Sequence, residues 1–295
     1  MRSKSKDQCG RRPERLFSNF CIAPSLVGVL FFFIVPFCIV IYYSMISNPI
    51  SQEFKGLENY EKLLHNAAFL KASKNTAIFS LTAVPLAVII PLGLAMLLER
   101  NIPKKSLFRT LFLSPLMVPS ASVVLVWQVL FHNHGTLNQI IESFGGKGID
   151  WMNSGQGQIV IILMFLWKNI GYNMILFMSA LCDIPQDIIE VADLEGAGGL
   201  YKFFQIKLRY LSPTIVFVLI LSLINSFKIF REVYLLTGDH PLDKLYMLQH
   251  FMNNTFNSLD YQKLSAAAVI FSIIMVIVIA ILLIAENALG KDVEN

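Results

Sequence analysis

Charge is scarce in this sequence. Asp, Glu, Lys and Arg make up 15% of the 295 residues, against about 25% in an ordinary soluble domain. Apolar residues reach 55%, and the mean hydropathy is +0.59. Too little polar surface remains to wrap a soluble globule, so the solvent of this chain is lipid. A disordered chain, a basic nucleic-acid-binding tail and an ordinary soluble enzyme are excluded by the same numbers. Cysteine is equally thin. Cys9, Cys21, Cys38 and Cys182 form no CxxC pair, which argues against a disulfide framework or a thiolate metal site. Signatures of chemistry are missing too. Gly145-Gly146-Lys147-Gly148 lacks the Ser or Thr that follows a P-loop lysine, and GxxxxGK[ST] occurs nowhere else. His132 and His134 have no third ligand in view. Asn253-Asn254-Thr255 matches a glycosylation acceptor, which matters only in a secretory pathway. No Ser/His/Asp or Cys/His arrangement stands out. The expectation is a chain that is no enzyme, holds no metal and binds no cofactor itself.

What is present is a set of long uncharged runs. Residues 16–52, 75–98, 110–141, 210–227 and 264–285 contain no Asp, Glu, Lys or Arg, and 151–182 holds only Lys168. A bilayer core of about 30 Å needs ~20 apolar helical residues. Six segments satisfy this: 20–45, 75–98, 110–131, 158–181, 212–236 and 264–286. The first follows Arg11, Arg12 and Arg15. It is too long for a signal-peptide core and no A-x-A site follows it, so it reads as a retained anchor. Pro24, Pro36, Pro85 and Pro91 fall in the first two spans, where each frees a carbonyl that neighbouring helices can satisfy. With the N-terminus inside, segments 1–19, 99–109, 182–211 and 287–295 carry 14 Lys and Arg, and the outer segments 47–74, 132–157 and 237–263 carry 7. That bias places both termini in the cytoplasm. The organisation expected is a basic N-terminus (1–19), an anchor (20–45), a five-helix core (75–286) containing an inner loop at 183–213, and a short tail (287–295).

The inner loop holds the most information. Asp183, with Gln186 three residues later and Pro185 between them, has the form of a capping box. Ile184, Ile188, Val191 and Leu194 recur at helical spacing, and Gly196, Gly198 and Gly199 then stop the helix. Leu200, Phe203, Phe204 and Ile206 mark a second short helix. Two short helices across a glycine turn make a rigid apolar knob, which suits docking to a soluble partner at low ordering cost.

This loop resembles the EAA motif of binding-protein-dependent ABC-transporter permeases. Glu190, Ala192, Gly196, Ala197, Phe203, Ile206, Leu208, Leu211 and Pro213 fall on the motif without gaps. Val191, Glu195 and Arg209 depart from it, the last replacing the usual proline. Phe54-Lys55-Gly56-Leu57-Glu58-Asn59-Tyr60 with Asn75-Thr76 is similar to a segment of the maltose-permease-like carbohydrate uptake group. So are Phe108-Arg109-Thr110-Leu111-Phe112 with Pro115 and Pro119, and Phe230 through Gly238. That group continues with Gly-Gly-Pro where this chain has Asp239-His240-Pro241.

The resemblance implies an all-α membrane protein of the type I ABC importer kind, with six transmembrane helices and a cytoplasmic coupling helix–turn–helix, in a bacterial inner membrane. It implies a second permease subunit, usually a different chain, a cytoplasmic ABC ATPase dimer holding ATP and Mg, and an extracytoplasmic solute-binding protein that delivers a carbohydrate. No nucleic acid is involved. Glu190, Ala192, Glu195, Gly196, Ala197 and Phe203 are then the ATPase-coupling residues. Polar residues in spans are costly and usually face a bundle interior or a pathway. Asn169, Tyr172, Asn173, Asn225 and Lys228 are the candidates to line a substrate path, with interhelical hydrogen bonding as the plainer role. A secondary transporter working without an ATPase is the alternative. It calls for inverted repeats and acids deep in the spans, and the sequence offers neither. A membrane-embedded transferase would need a cluster of acids or histidines at an interface, also missing.

Overall fold

A computed structural model describes residues 22–99, 103–152, 155–239 and 241–290. The expected segment 1–19 and the end of the tail lie outside them, as do Cys9, Cys21 and His240. The described chain is helical, and its only strand-like pairing is one isolated bridge between Ile46 and Phe54. It divides into two compact units, one of residues up to His65 with Thr255–Ser272, the other of Asn66–Asn254 with the residues from Ile273 onward.

In the first unit, α1 (Ile22–Ser44) is a membrane-length helix. Pro36 has no N–H to give its helix, and the turn before it widens to π geometry over Leu30–Ile34, with the Val35 N–H donating to the Leu30 carbonyl. A tight loop then leads to α2 (Glu58–Leu64). Asn59 Nδ2 donates to the carbonyls of Ser44 and Ile46, each at 2.9 Å, and Tyr60 Oη lies 2.6 Å from Ser44 Oγ. These bonds take up polar groups left over where α1 ends.

The second unit carries the bundle. α3 (Ala67–Glu99) runs 33 residues, beginning a full two turns before the span expected at 75–98. Pro85 and Pro91 lie inside it. α7 (Gly157–Cys182) is its main packing partner. Phe79, Ala83, Ala87, Val123, Ile161, Phe165, Ile229 and Val233 form one buried cluster. Val88, Leu92, Ala95, Met174, Phe177, Leu181, Leu211 and Val218 form a second, nearer the loop after α7.

The span expected at 110–131 is not one helix. It is α4 (Lys105–Met117) and α5 (Ser120–Leu130), bent by 102°. Pro119 forces the residue before it out of the helical region, and Val118 is extended at φ −85°, ψ 128°. Among the described residues, five helices are therefore long and apolar enough to cross a membrane alone, and six crossings result if the bent pair is one. α6 (Thr136–Ser143) lies in the loop before α7. After α7 come α8 (Gln186–Leu194) and α9, which combines Gly199–Tyr201, a π segment Lys202–Lys207 and Leu208–Tyr210. α10 (Ser212–Lys228) and α11 (Phe230–Thr237) together make the next membrane-length segment, Ser212–Thr237. α12 (Leu248–Asn257) and α13 (Tyr261–Gly290) complete the described part of the chain.

Candidate functional site

The hairpin of α8 and α9 forms as expected, but not by the expected cap. Asp183 has helical dihedrals and ends α7, so its side chain makes no capping box, and α8 starts after Pro185 without a side-chain cap. The turn is set by Gly196 at φ +77°. The Ala197 N–H donates to the Ala192 carbonyl at 2.9 Å, and the Gly196 N–H to the Asp193 carbonyl at 3.1 Å. This crossed pair closes the helix end, and it needs a left-handed residue where a glycine stands.

The apolar residues of the hairpin divide between two faces. Ile184 and Phe203 pack against the second core cluster, and Ala192 is buried. Leu194, Leu200, Tyr201, Phe204 and Val191 point outward, with Leu194 88% and Leu200 77% exposed. Glu190, Glu195 and Gly196 are exposed beside them, and Ala197 is half-buried. The residues named from the motif thus include inward members, Ala192 and Phe203. The apolar tip itself, Leu194 and Leu200 flanking the turn, comes from the helical spacing.

Two ion pairs orient the hairpin. Lys202 of α9 pairs with Asp193 of α8, joining its two arms. Lys207 reaches both carboxylate oxygens of Glu99, at 2.7 and 2.6 Å, joining α9 to the end of α3. Between them lies a cavity of about 700 Å³ lined by Met96, Leu97, Glu99, Ile189 and Phe203. Exposed pairs contribute about 0–1 kcal/mol each, so these fix direction more than they add stability.

A polar seam runs through the bundle. Pro91 leaves the Ala87 carbonyl without its helical donor, and Asn173 Nδ2 of α7 donates to that carbonyl at 2.7 Å. The same amide donates to Ser222 Oγ at 3.0 Å, and Asn173 is 1% exposed. It sits inside the packing of α3, α7 and α10. Asn225 Nδ2 donates to Asn169 Oδ1 at 3.0 Å, and both residues are half-exposed. Ser80 and Ser226 hydroxyls meet at 2.9 Å. Tyr172 is 38% exposed, and Lys228 is exposed.

One member of the seam is an acid near the Thr237 end of the Ser212–Thr237 segment, closed in by the packing around it. Glu232 is 3% exposed and pairs with Lys168 of α7. Ser120, the first residue of α5, donates its hydroxyl to Glu232 Oε1 at 2.8 Å. The partners of Glu232 are thus a helix N-terminus and a lysine side chain, both of which favour a carboxylate beside them. The sequence carries no signal for Ser120, because its partner lies 112 residues away. α4 meets α7 in direct backbone contact: a Cβ at Gly171 would stand 1.8 Å from the Phe112 carbonyl oxygen. In the loop before α12, Asn75 Nδ2 donates to the carbonyls of Asp243 and Tyr246, and Thr76 Oγ1 accepts from the Leu248 N–H. His250 packs edge-on to Phe230, and burial pulls its pKa down to about 4, so it stands there as a neutral packing group.

Comparison with known proteins gives a consistent result. The family described as binding-protein-dependent transport system inner membrane component matches residues 89–295. The sulfoquinovosyl glycerol transport system permease of Agrobacterium fabrum is 30% identical, over 92% of this chain and 90% of that one. The sn-glycerol-3-phosphate transport system permease of Pectobacterium atrosepticum is 32% identical, over 86% of this chain and 88% of that one. A chain in the crystal structure of a bacterial ABC transporter involved in the import of alginate superimposes with a TM-score of 0.82 at 17% identity. It covers 95% of this chain and 98% of its own length, and at that identity the likeness is one of fold.

Proposed function

The chain belongs to the binding-protein-dependent transport system inner membrane components, a multi-pass permease subunit and not an enzyme, and on that premise we propose that it moves a sugar or polyol inward under the drive of a separate ATPase. The exposed apolar tip of the α8–α9 hairpin carries this reading. Fully burying a leucine contributes about 1.5–3 kcal/mol, so Leu194 and Leu200 alone supply much of a docking energy. Glu190 and Glu195 give the rim its charge. An ATPase dimer seated there would pull on α9, and the Lys207–Glu99 pair would pass the pull to α3. The hairpin and both termini are then cytoplasmic, in agreement with the lysine and arginine bias.

ATP and Mg belong to the ATPase, and a second permease, in this group usually a different chain, completes the path. The relatives' named solutes, sulfoquinovosyl glycerol and sn-glycerol-3-phosphate, both contain glycerol, which supports a polyol-like cargo delivered by an extracytoplasmic binding protein. Asn169, Tyr172, Asn225 and Lys228 line the path, and Asn173 supports that wall from behind. Family membership favours this over a secondary transporter.

The test is made on the reconstituted complex. Gly196→Pro and Glu190→Lys are expected to insert normally and to abolish ATP-driven uptake while ATP hydrolysis continues. Wild-type uptake by both variants would remove the hairpin from the mechanism.

A further inference from the structure

Lys228 and Arg231 are the two charges of the Ser212–Thr237 segment that the fold leaves unanswered. Both are exposed, and neither makes an ion pair among the described residues. The nearest acid in sequence, Glu232, already holds Lys168 and the Ser120 hydroxyl. Asn225 and Lys228 are three residues apart in the last turns of α10, and Arg231 follows Lys228 by three in the first turn of α11.

Their depth follows from a hydrogen bond. Asn225 is tied to Asn169, which is twelve residues from Gly157 and thirteen from Cys182, the middle of α7. At 1.5 Å per residue, Lys228 stands about 4.5 Å and Arg231 about 9 Å beyond that level. Half of a hydrocarbon core is about 15 Å, so Lys228 lies well inside it. A charge facing lipid near that depth costs about 2.5–3.5 kcal/mol. Two neighbouring cations also repel each other. Both costs fall if the pair faces water and an anion passes between them. An ammonium and a guanidinium fork present donors suited to the oxygens of one strong-acid group.

We infer that Lys228 and Arg231 form an anion-selecting station on the transport path, so that the cargo is a sugar or polyol bearing a phosphate, sulfonate, sulfate or carboxylate. This rests on the importer reading above and adds the charge of the cargo to it. The plainer role is snorkelling, in which Arg231 reaches the outer interface and Lys228 follows.

The experiment uses the complete complex in proteoliposomes, with radiolabelled sn-glycerol 3-phosphate, galacturonate and maltose as probes. Wild type is expected to import at least one of the two anions tenfold faster than maltose. The K228Q/R231Q variant is expected to lose that anion's uptake by tenfold or more, and K228R/R231K to keep most of it, because charge and not packing is the determinant. Equal recovery of the three proteins in the complex checks that folding is not the cause. Import of neither anion, maltose import at the faster rate, anion uptake by K228Q/R231Q at the wild-type rate, or loss of it in K228R/R231K as well overturns the station. Absence of any ATP hydrolysis from the wild-type complex is a separate result and defeats the importer reading instead.

Discussion

Asn173 shows how a single side chain repairs a defect made elsewhere in the sequence. Pro91 deletes one helical hydrogen bond, and the amide of Asn173 replaces it from the neighbouring helix. An orphaned buried carbonyl costs about 1–3 kcal/mol. Asn173→Leu is expected to destabilise the protein by about that much, read from thermal unfolding in detergent micelles. In a Pro91→Ala background the restored N–H serves the Ala87 carbonyl, so the same change should cost clearly less; an equal cost in both would refute the pairing. The sequence shows a proline that frees a carbonyl and, separately, an asparagine in a span. It does not show that they meet, because 86 residues separate Asn173 from Ala87. Asn59, Tyr60, Asn75 and Thr76 teach a related lesson. They were legible as motif residues, and the structure shows what they do: each holds a loop or helix end in place.

Among elements, the spans and the hairpin were the legible part. Long uncharged runs can hardly be anything but membrane helices, and three glycines after a periodic run announce a turn. The bend between α4 and α5 was not legible. Pro119 lies in an uncharged run that continues on both sides, so hydropathy alone joins what the backbone breaks. The false capping box has a similar cause: α7 persists through Cys182 and leaves Asp183 helical. The ion pair between Glu99 and Lys207 is also invisible in the sequence, since its members lie 108 residues apart. It links two elements whose relative movement is the proposed stroke. Lys207→Glu is expected to reduce uptake severalfold by placing two acids together, and the swapped E99K/K207E variant to recover it, both measured in proteoliposomes. Failure of the swap to recover any uptake would show that the pair orients nothing.

Across the whole molecule, Lys168, Glu232 and Ser120 bring α5, α7 and α11 to one point. Removing one member of a buried ion pair typically costs about 3–5 kcal/mol, whereas replacing both with apolar residues is often close to neutral. Lys168→Met is therefore expected to lower the unfolding temperature markedly, and K168M/E232L to restore most of the loss, by the same thermal measurement. If the double variant were the less stable of the two, the pair would be a source of stability in itself and not a mutually dependent one. The contact of Gly171 with the Phe112 carbonyl acts on the same scale by a different means. With no room for even a methyl group, any side chain there would have to wedge α4 away from α7, so the closeness of these two helices hangs on one missing carbon atom.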